Sequence, residues 1–207
     1  GLGRSGTADA YSLPLYAKDL KLLLDYLSID RAVLFGVSWG GVVVQRFALD
    51  YPEKCGALVL DSTSSETNVA GSENWYMRGE IARLGQDAAL QGRELEAAFS
   101  GHSRAGDNKI ILEKESYLES YVAQCRSTAA LREHPLTPEL SRLAMPILVV
   151  GGGKDIVAGA GGSVIIGRRV QNSTVNIFQE AGHGVYTSDR TGFRRVLMDF
   201  LGQQEIF

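Results

Sequence analysis

The chain has 207 residues, 44% of them hydrophobic, with 24 acidic against 21 basic side chains and a net charge of −3. That length suits one domain with room for an inserted lobe, and that hydrophobic share can fill a core, which excludes a disordered chain. The mild negative charge without a basic cluster argues against nucleic acid as a partner, and no apolar run nears the ~20 residues of a membrane span. The two cysteines, Cys55 and Cys125, lie far apart and lack metal-ligand spacing, so reduced thiols in a cytoplasmic protein are the expectation.

The chain opens on Gly1-Leu2-Gly3-Arg4-Ser5-Gly6. From Leu13 to Leu27, the residues Leu13, Tyr16, Leu20, Leu23, Leu24 and Leu27 fall on one face, which predicts an amphipathic helix. Ala32–Phe35 reads as a buried strand. It is followed by the turn Gly36-Val37-Ser38-Trp39-Gly40-Gly41 and by a helix that runs to Asp50, just before Pro52. Cys55–Asp61 is a second buried strand, and strand, helix, strand in this order requires a parallel pair with a right-handed crossover.

Composition shifts at Ser62-Thr63-Ser64-Ser65. Between Glu66 and Leu140 no strand is visible; Glu73–Leu84, Asp87–Phe99 and Lys109–Leu131 read as helices. The sheet pattern returns with a strand at Met145–Val150, then Gly151-Gly152-Gly153-Lys154-Asp155, a helix at Ser163–Val170 and a strand at Ser173–Phe178. A last helix is expected at Thr191–Leu201, where Phe193, Val196, Leu197 and Phe200 repeat at helical spacing. The architecture predicted is α/β with a mostly parallel sheet: residues 1–63 and 141–207 form the core, and 64–140 a helical insertion.

The glycine-flanked serine between a strand and a helix has the layout of a nucleophile elbow. A serine hydroxyl is a poor nucleophile unless it stands exposed beside a base, with backbone N–H groups aimed at the developing oxyanion. A sharp strand-to-helix turn would lift Ser38 clear of the sheet and make the Trp39 N–H an oxyanion donor. On this reading Gly36 and Gly40 both have to lack side chains. The rival is a dinucleotide-binding turn, which also takes a strand, glycines, a helix and an acidic residue about 20 positions on, here Asp61. Ser38 occupies the place where that fingerprint needs its second glycine.

A serine nucleophile needs a base, and the base needs an orienting carboxylate. Only three histidines exist: His102, His134 and His183. His102 and His134 read as loop residues. His183 follows the strand ending at Phe178, between Gly182 and Gly184, which leave its loop free to swing. Asp155 follows the strand before it. In an open parallel sheet, groups beyond the C-terminal strand ends gather at one edge. Ser38, Asp155 and His183 are therefore the candidate catalytic set, and Asp61, which also ends a strand, is the reserve carboxylate. Taken singly, Asp155 also reads as a helix cap and His183 as a surface-loop residue.

On Gly36-Val37-Ser38-Trp39-Gly40-Gly41, Gly153-Lys154-Asp155, Ala181-Gly182-His183 and the opening Gly1-Leu2-Gly3-Arg4-Ser5, the chain resembles the α/β-hydrolase superfamily over nearly its whole length. The resemblance is to the esterase, lactonase and haloperoxidase-like branch with a helical cap. The short stretch Glu73–Gly79 is similar to the enol-lactonase group and names no substrate by itself. The resemblance implies a small-molecule acyl substrate, an acyl-enzyme on Ser38, His183 as base and Asp155 as its orienter. No metal or organic cofactor is implied. Trp75, Tyr76, Met77, Phe99, Tyr117 and Tyr121 are candidates to line the pocket, although aromatics at helical spacing also serve a lobe's own core. A non-catalytic ligand binder of the same fold and an inert truncated form are the alternatives.

Family members carry several strands before the Gly-x-Gly-x-Ser segment. At ~30 residues per strand–helix–strand unit, roughly 60–80 residues are expected to be absent, with the loop that supplies a second oxyanion N–H. Trp39 is then the one donor that can be named. The edge of strand Ala32–Phe35 is expected to pair with a complementing N-terminal segment or with another chain.

Overall fold

A computed structural model describes residue 6, residues 8–84 and residues 115–204. Its elements in chain order are α1 (Leu13–Tyr26), β1 (Ala32–Val37), α2 (Trp39–Asp50), β2 (Cys55–Asp61), α3 (Val69–Arg83), α4 (Glu115–Ala129), β3 (Ile147–Gly152), α5 (Gly159–Arg169), β4 (Ser173–Phe178), α6 (Val185–Ser188) and α7 (Arg190–Gly202), with short 3-10 turns at Pro52–Lys54, Ala130–Arg132 and Leu140–Arg142. The chain divides into two compact units. One is formed by the described residues of Gly1–Ser12 and Thr67–His134, the other by the described residues of Leu13–Glu66 and Pro135–Phe207.

The second unit holds the sheet. Its strands lie in the order β1-β2-β3-β4 and all three pairings are parallel. β2 and β3 are buried along their whole length, as their unbroken apolar runs require of central parallel strands covered on both faces. One face is closed by α7. Phe193 and Phe200 are buried in a cluster with Ala57, Val59, Leu148, Val150, Ala181 and Val185, and Val196, Leu197 and Leu201 pack against it. Helix α2 packs on β1 and β2, and α5 on β3 and β4. β1 stands at one end of the strand order, with Phe35 about half exposed and its ring tilted 5.5 Å from that of Phe193.

Two strands extend further than their residue types predict. β1 continues through Gly36-Val37, and β3 through Gly151-Gly152, residues read from sequence as turn. Glycine is depleted in strands, yet here it lets neighbours approach the sheet. A Cβ on Gly36 would lie 2.5 Å from the Gly40 carbonyl oxygen, and one on Gly152 2.3 Å from that of Gly182.

The first unit is built from α3 and α4, which pack together. A Cβ on Gly79 would sit 3.1 Å from Cys125 Cβ, and the Ser72 hydroxyl donates to the Ala129 carbonyl at 2.9 Å. α3 begins four residues earlier than expected, because Asn68 caps it by accepting from the Gly71 N–H at 2.8 Å. The expected helix Asp87–Phe99 lies outside the described residues, as does the start of Lys109–Leu131. Among the described residues no helix is long and apolar enough to cross a membrane.

Candidate active site

The sheet's parallel register brings four chain segments to one edge. The Ser38 N–H donates to the Asp61 carbonyl at 2.9 Å, the Ser62 N–H to Val150 at 3.0 Å, and the Gly153 N–H to Phe178 at 2.8 Å. The ladder therefore runs one residue past each of β1, β2 and β3, and the side chains beyond it leave from neighbouring points.

Ser38 sits between β1 and α2 with φ 52° and ψ −120°. That conformation is strained for a residue with a Cβ, by about 1–3 kcal/mol, and persists only where its surroundings hold it. The surroundings are explicit. The Ser38 carbonyl accepts from the Gly41 N–H at 2.9 Å and from the Thr63 hydroxyl at 2.7 Å. Of the two glycines that sequence reasoning called necessary, Gly36 is crowded as expected, but a Cβ on Gly40 would meet nothing within 4 Å. The second crowded position is Gly41, where a Cβ would lie 2.5 Å from Thr63. The tightness of the turn thus comes from Thr63, two residues past β2, as well as from the elbow itself. Trp39 opens α2, where the first N–H groups lack partners within the helix, and its indole meets the Tyr16 ring edge-on at 5.6 Å.

Asp155 and His183 meet. Imidazole Nδ1 lies 2.9 Å from Asp155 Oδ2, with the carboxylate side chain fully buried and the imidazole 13% exposed. The other oxygen, Oδ1, accepts from the Val157 and Ala158 N–H groups at 2.8 and 3.0 Å. The cap-like reading of Asp155 and the His-orienting one therefore hold at once, on different oxygens. Burial pushes this carboxyl up, but the His183 hydrogen bond and charge and the two N–H donors outweigh it, leaving Asp155 below the ordinary carboxylate range. The two loops are also joined by backbone, since the Lys154 N–H donates to the Ala181 carbonyl at 2.9 Å, and by an exposed ion pair of Lys154 with Glu180.

Asp61, the reserve carboxylate, turns to the backbone. Oδ1 accepts from the Val185 N–H at 3.0 Å and Oδ2 from the Tyr186 N–H at 2.9 Å. Ser62 accepts from the Gly184 N–H at 2.9 Å. The His183 loop is thereby braced, where its flanking glycines suggested a loop free to swing. These two residues escaped the sequence reading as a pair; the signal was a polar Asp-Ser-Thr run that begins at the last residue of a fully buried strand.

The remaining candidates lie in the helical unit. Trp75, Tyr76 and Met77 are on α3, with Tyr76 and Met77 more than half exposed and the Arg78 guanidinium 5.0 Å from the Trp75 ring centre. Tyr121 is on α4 and hydrogen-bonds Cys125. Phe99 and the side chain of Tyr117 lie outside the described residues, as do His102 and the Gly1–Ser5 segment. His134 is exposed in the turn after Ala130–Arg132. Among the described residues no group of three or more His, Cys, Asp or Glu is arranged to hold a metal.

A family model described as alpha/beta hydrolase fold matches residues 1–190. The chain is 28% identical over 196 residues to 3-oxoadipate enol-lactonase 2 of Acinetobacter baylyi, a match spanning 88% of this chain and 68% of that protein. Among solved structures, a hydrolase from Pseudomonas aeruginosa superposes with a TM-score of 0.84 at 22% identity, over 98% of this chain and 77% of that one. The enol-lactonase from Burkholderia xenovorans LB400 does so with a TM-score of 0.81 at 20% identity, over 98% and 78%. At these identities the two structures speak to the fold.

Proposed function

The chain belongs to the alpha/beta hydrolase fold family and is an enzyme of that type; we propose that it is a serine hydrolase cleaving a carboxylic ester, lactone or related small acyl substrate through Ser38, His183 and Asp155. One observation carries this reading: a histidine ring nitrogen lies 2.9 Å from a buried carboxylate, at the sheet edge that also bears a strained serine between strand and helix. The enol-lactonase relative points to the same substrate class.

The chemistry follows from the donor set. Ser38 Oγ attacks the acyl carbon and passes its proton to His183 Nε2. Nδ1–H donates to Asp155, which fixes the tautomer and favours the imidazolium. The Trp39 N–H, at the positive end of α2, faces the charge growing on the acyl oxygen. His183 then protonates the leaving alkoxide, and a water activated by the same imidazole hydrolyses the acyl-enzyme. Asp155 is held ionised for this role by its own surroundings, being below the ordinary range.

Labelling with a fluorophosphonate, which reacts with activated serines, tests the nucleophile, and turnover of short acyl esters and lactones tests the class. The wild type should label at Ser38. Ser38→Ala should lose labelling and lower kcat by about 10⁴–10⁶-fold, with substrate binding largely kept. Undiminished turnover in Ser38→Ala would remove Ser38 from the mechanism.

A further inference from the structure

Asp61 and Ser62 are both fully buried, and the reaction as written uses neither. Between them they meet three consecutive peptide N–H groups immediately after His183: Gly184 on Ser62 Oγ, Val185 on Asp61 Oδ1 and Tyr186 on Asp61 Oδ2. The Ser62 hydroxyl in turn donates to Asp61 Oδ1 at 2.9 Å. The joint is conformationally specific on both sides, with Gly184 at φ 74° and Ser62 at φ 50°. Gly184 adopts this region freely, but Ser62 carries a Cβ and holds it only where its contacts over-determine it.

We propose that Asp61 and Ser62 are positioning residues for His183: together they fix, through three consecutive backbone N–H groups, the loop that carries the imidazole. The proposal rests on the reading of His183 as the base. An ionised carboxylate accepts on both oxygens, as the Val185 and Tyr186 N–H groups require, whereas an amide accepts on one only. Burial is the largest influence on Asp61 and raises its carboxyl above the ordinary range, while the Tyr186 and Val185 N–H groups, the Ser62 hydroxyl and the charge of His183 act against that rise. The carboxylate that meets the ring itself is Asp155, on Nδ1, and the charges on the flanking loops, Lys154 and Glu180, are paired with each other.

The test separates positioning of the ring from mere support of the fold. kcat, KM and the unfolding midpoint are measured for wild type, Asp61→Asn and Ser62→Ala, with the His183 Nδ1–H proton on Asp155 followed by NMR and assigned by its loss in His183→Gln. Asp61→Asn should lower kcat about tenfold or more, change KM less than about threefold, and shift or broaden the Nδ1–H resonance. Ser62→Ala, which removes the acceptor of the Gly184 N–H, should lower kcat about tenfold, change KM less than about threefold, and broaden the same resonance. A folded Asp61→Asn protein with wild-type kcat and an unchanged Nδ1–H resonance would overturn the role of Asp61. A Ser62→Ala protein with wild-type kcat would overturn the brace, and this arm remains decisive if Asp61→Asn fails to fold. Failure of the wild type to label with fluorophosphonate would count against Ser38 alone, because the Nδ1–H resonance reads the placement of the imidazole on Asp155 without turnover.

Discussion

Asp61 and Asp155 invite comparison. Each is a buried aspartate at the C-terminal end of a central parallel strand, the strands are neighbours, and both carboxylates lie on the His183 side of the sheet. Their partners differ because their depth in the ladder differs. Asp61 is the last residue of β2, still paired with Val37 and Val150, so its side chain meets the backbone that passes over the strand end. Asp155 lies three residues past Gly152, beyond the ladder. There it can turn back on the Val157 and Ala158 N–H groups and present its other oxygen to a ring. Strand-end position therefore nominates a carboxylate; the distance past the last ladder bond decides whether it serves a side chain or a loop. The two also titrate in opposite senses, Asp155 held below and Asp61 above the ordinary range.

The sharpest way to break the comparison is to neutralise each carboxylate. Asp155→Asn should lower kcat by about 10³–10⁴-fold, since the amide cannot orient Nδ1–H or stabilise the imidazolium. The loss in Asp61→Asn should be at least tenfold smaller. Equal losses would mean that the two share the orienting role. Stability against pH sharpens the same contrast. A carboxylate with a lowered folded-state pKa stabilises the fold above its unfolded value, and that contribution is lost as pH falls through the folded one. A raised pKa does the reverse. Unfolding titrations between about pH 3 and 7 should show the wild type's advantage over Asp155→Asn growing as pH rises through about 4, and its advantage over Asp61→Asn shrinking. Parallel curves would contradict the opposite shifts.

A smaller effect tests the packing that brings Asp155 to His183. Gly152→Ala should destabilise the fold by about 1–3 kcal/mol in denaturant titrations, because the new Cβ meets the Gly182 and Ala181 carbonyl oxygens at 2.3 and 2.4 Å, and backbone cannot give way as a side-chain tip can. Gly182→Ala should change stability by less than about 0.5 kcal/mol, since a Cβ there meets nothing within 4 Å. A tolerated Gly152→Ala would mean the two loops adjust independently.

The sheet and the candidate site were legible where pattern and topology act together. The apolar runs at Ala32, Cys55, Ile147 and Ser173 became the four strands in parallel order, and the rule that loops gather beyond parallel strand ends put Asp155 and His183 in reach of one another. What escaped depends on approach distances, which residue types do not encode. Gly36 and Gly152 read as turn because glycine is a poor strand former, and only the packed neighbour reveals why it stands in a strand. Gly40 and Gly41 look alike in sequence; Thr63, 22 residues past Gly41, decides which is crowded. The bracing by Asp61 and Ser62 was equally hidden, since its acceptors and donors are separated by more than 120 residues.

The smallest effect expected concerns the surface above this joint. Lys154 and Glu180 form an ion pair between the loop that carries Asp155 and the loop that carries His183, which makes it look like a third fastening beside the backbone bond and the His–Asp contact. Exposure argues otherwise. The two side chains are 64% and 84% exposed, so water and salt screen the pair, and ordering two long side chains offsets much of the Coulomb gain. The Lys154 N–H bond to the Ala181 carbonyl belongs to the backbone and survives any substitution at that position except proline. Lys154→Ala should therefore change stability by about 0.5 kcal/mol or less, with little dependence on salt, and should leave the Asp155–His183 hydrogen bond in place. A loss well above 1 kcal/mol that disappears in molar salt would show that the two loops are held together from the surface, and the contrast between a buried carboxylate serving a ring and one serving a backbone would then need a third, electrostatic member.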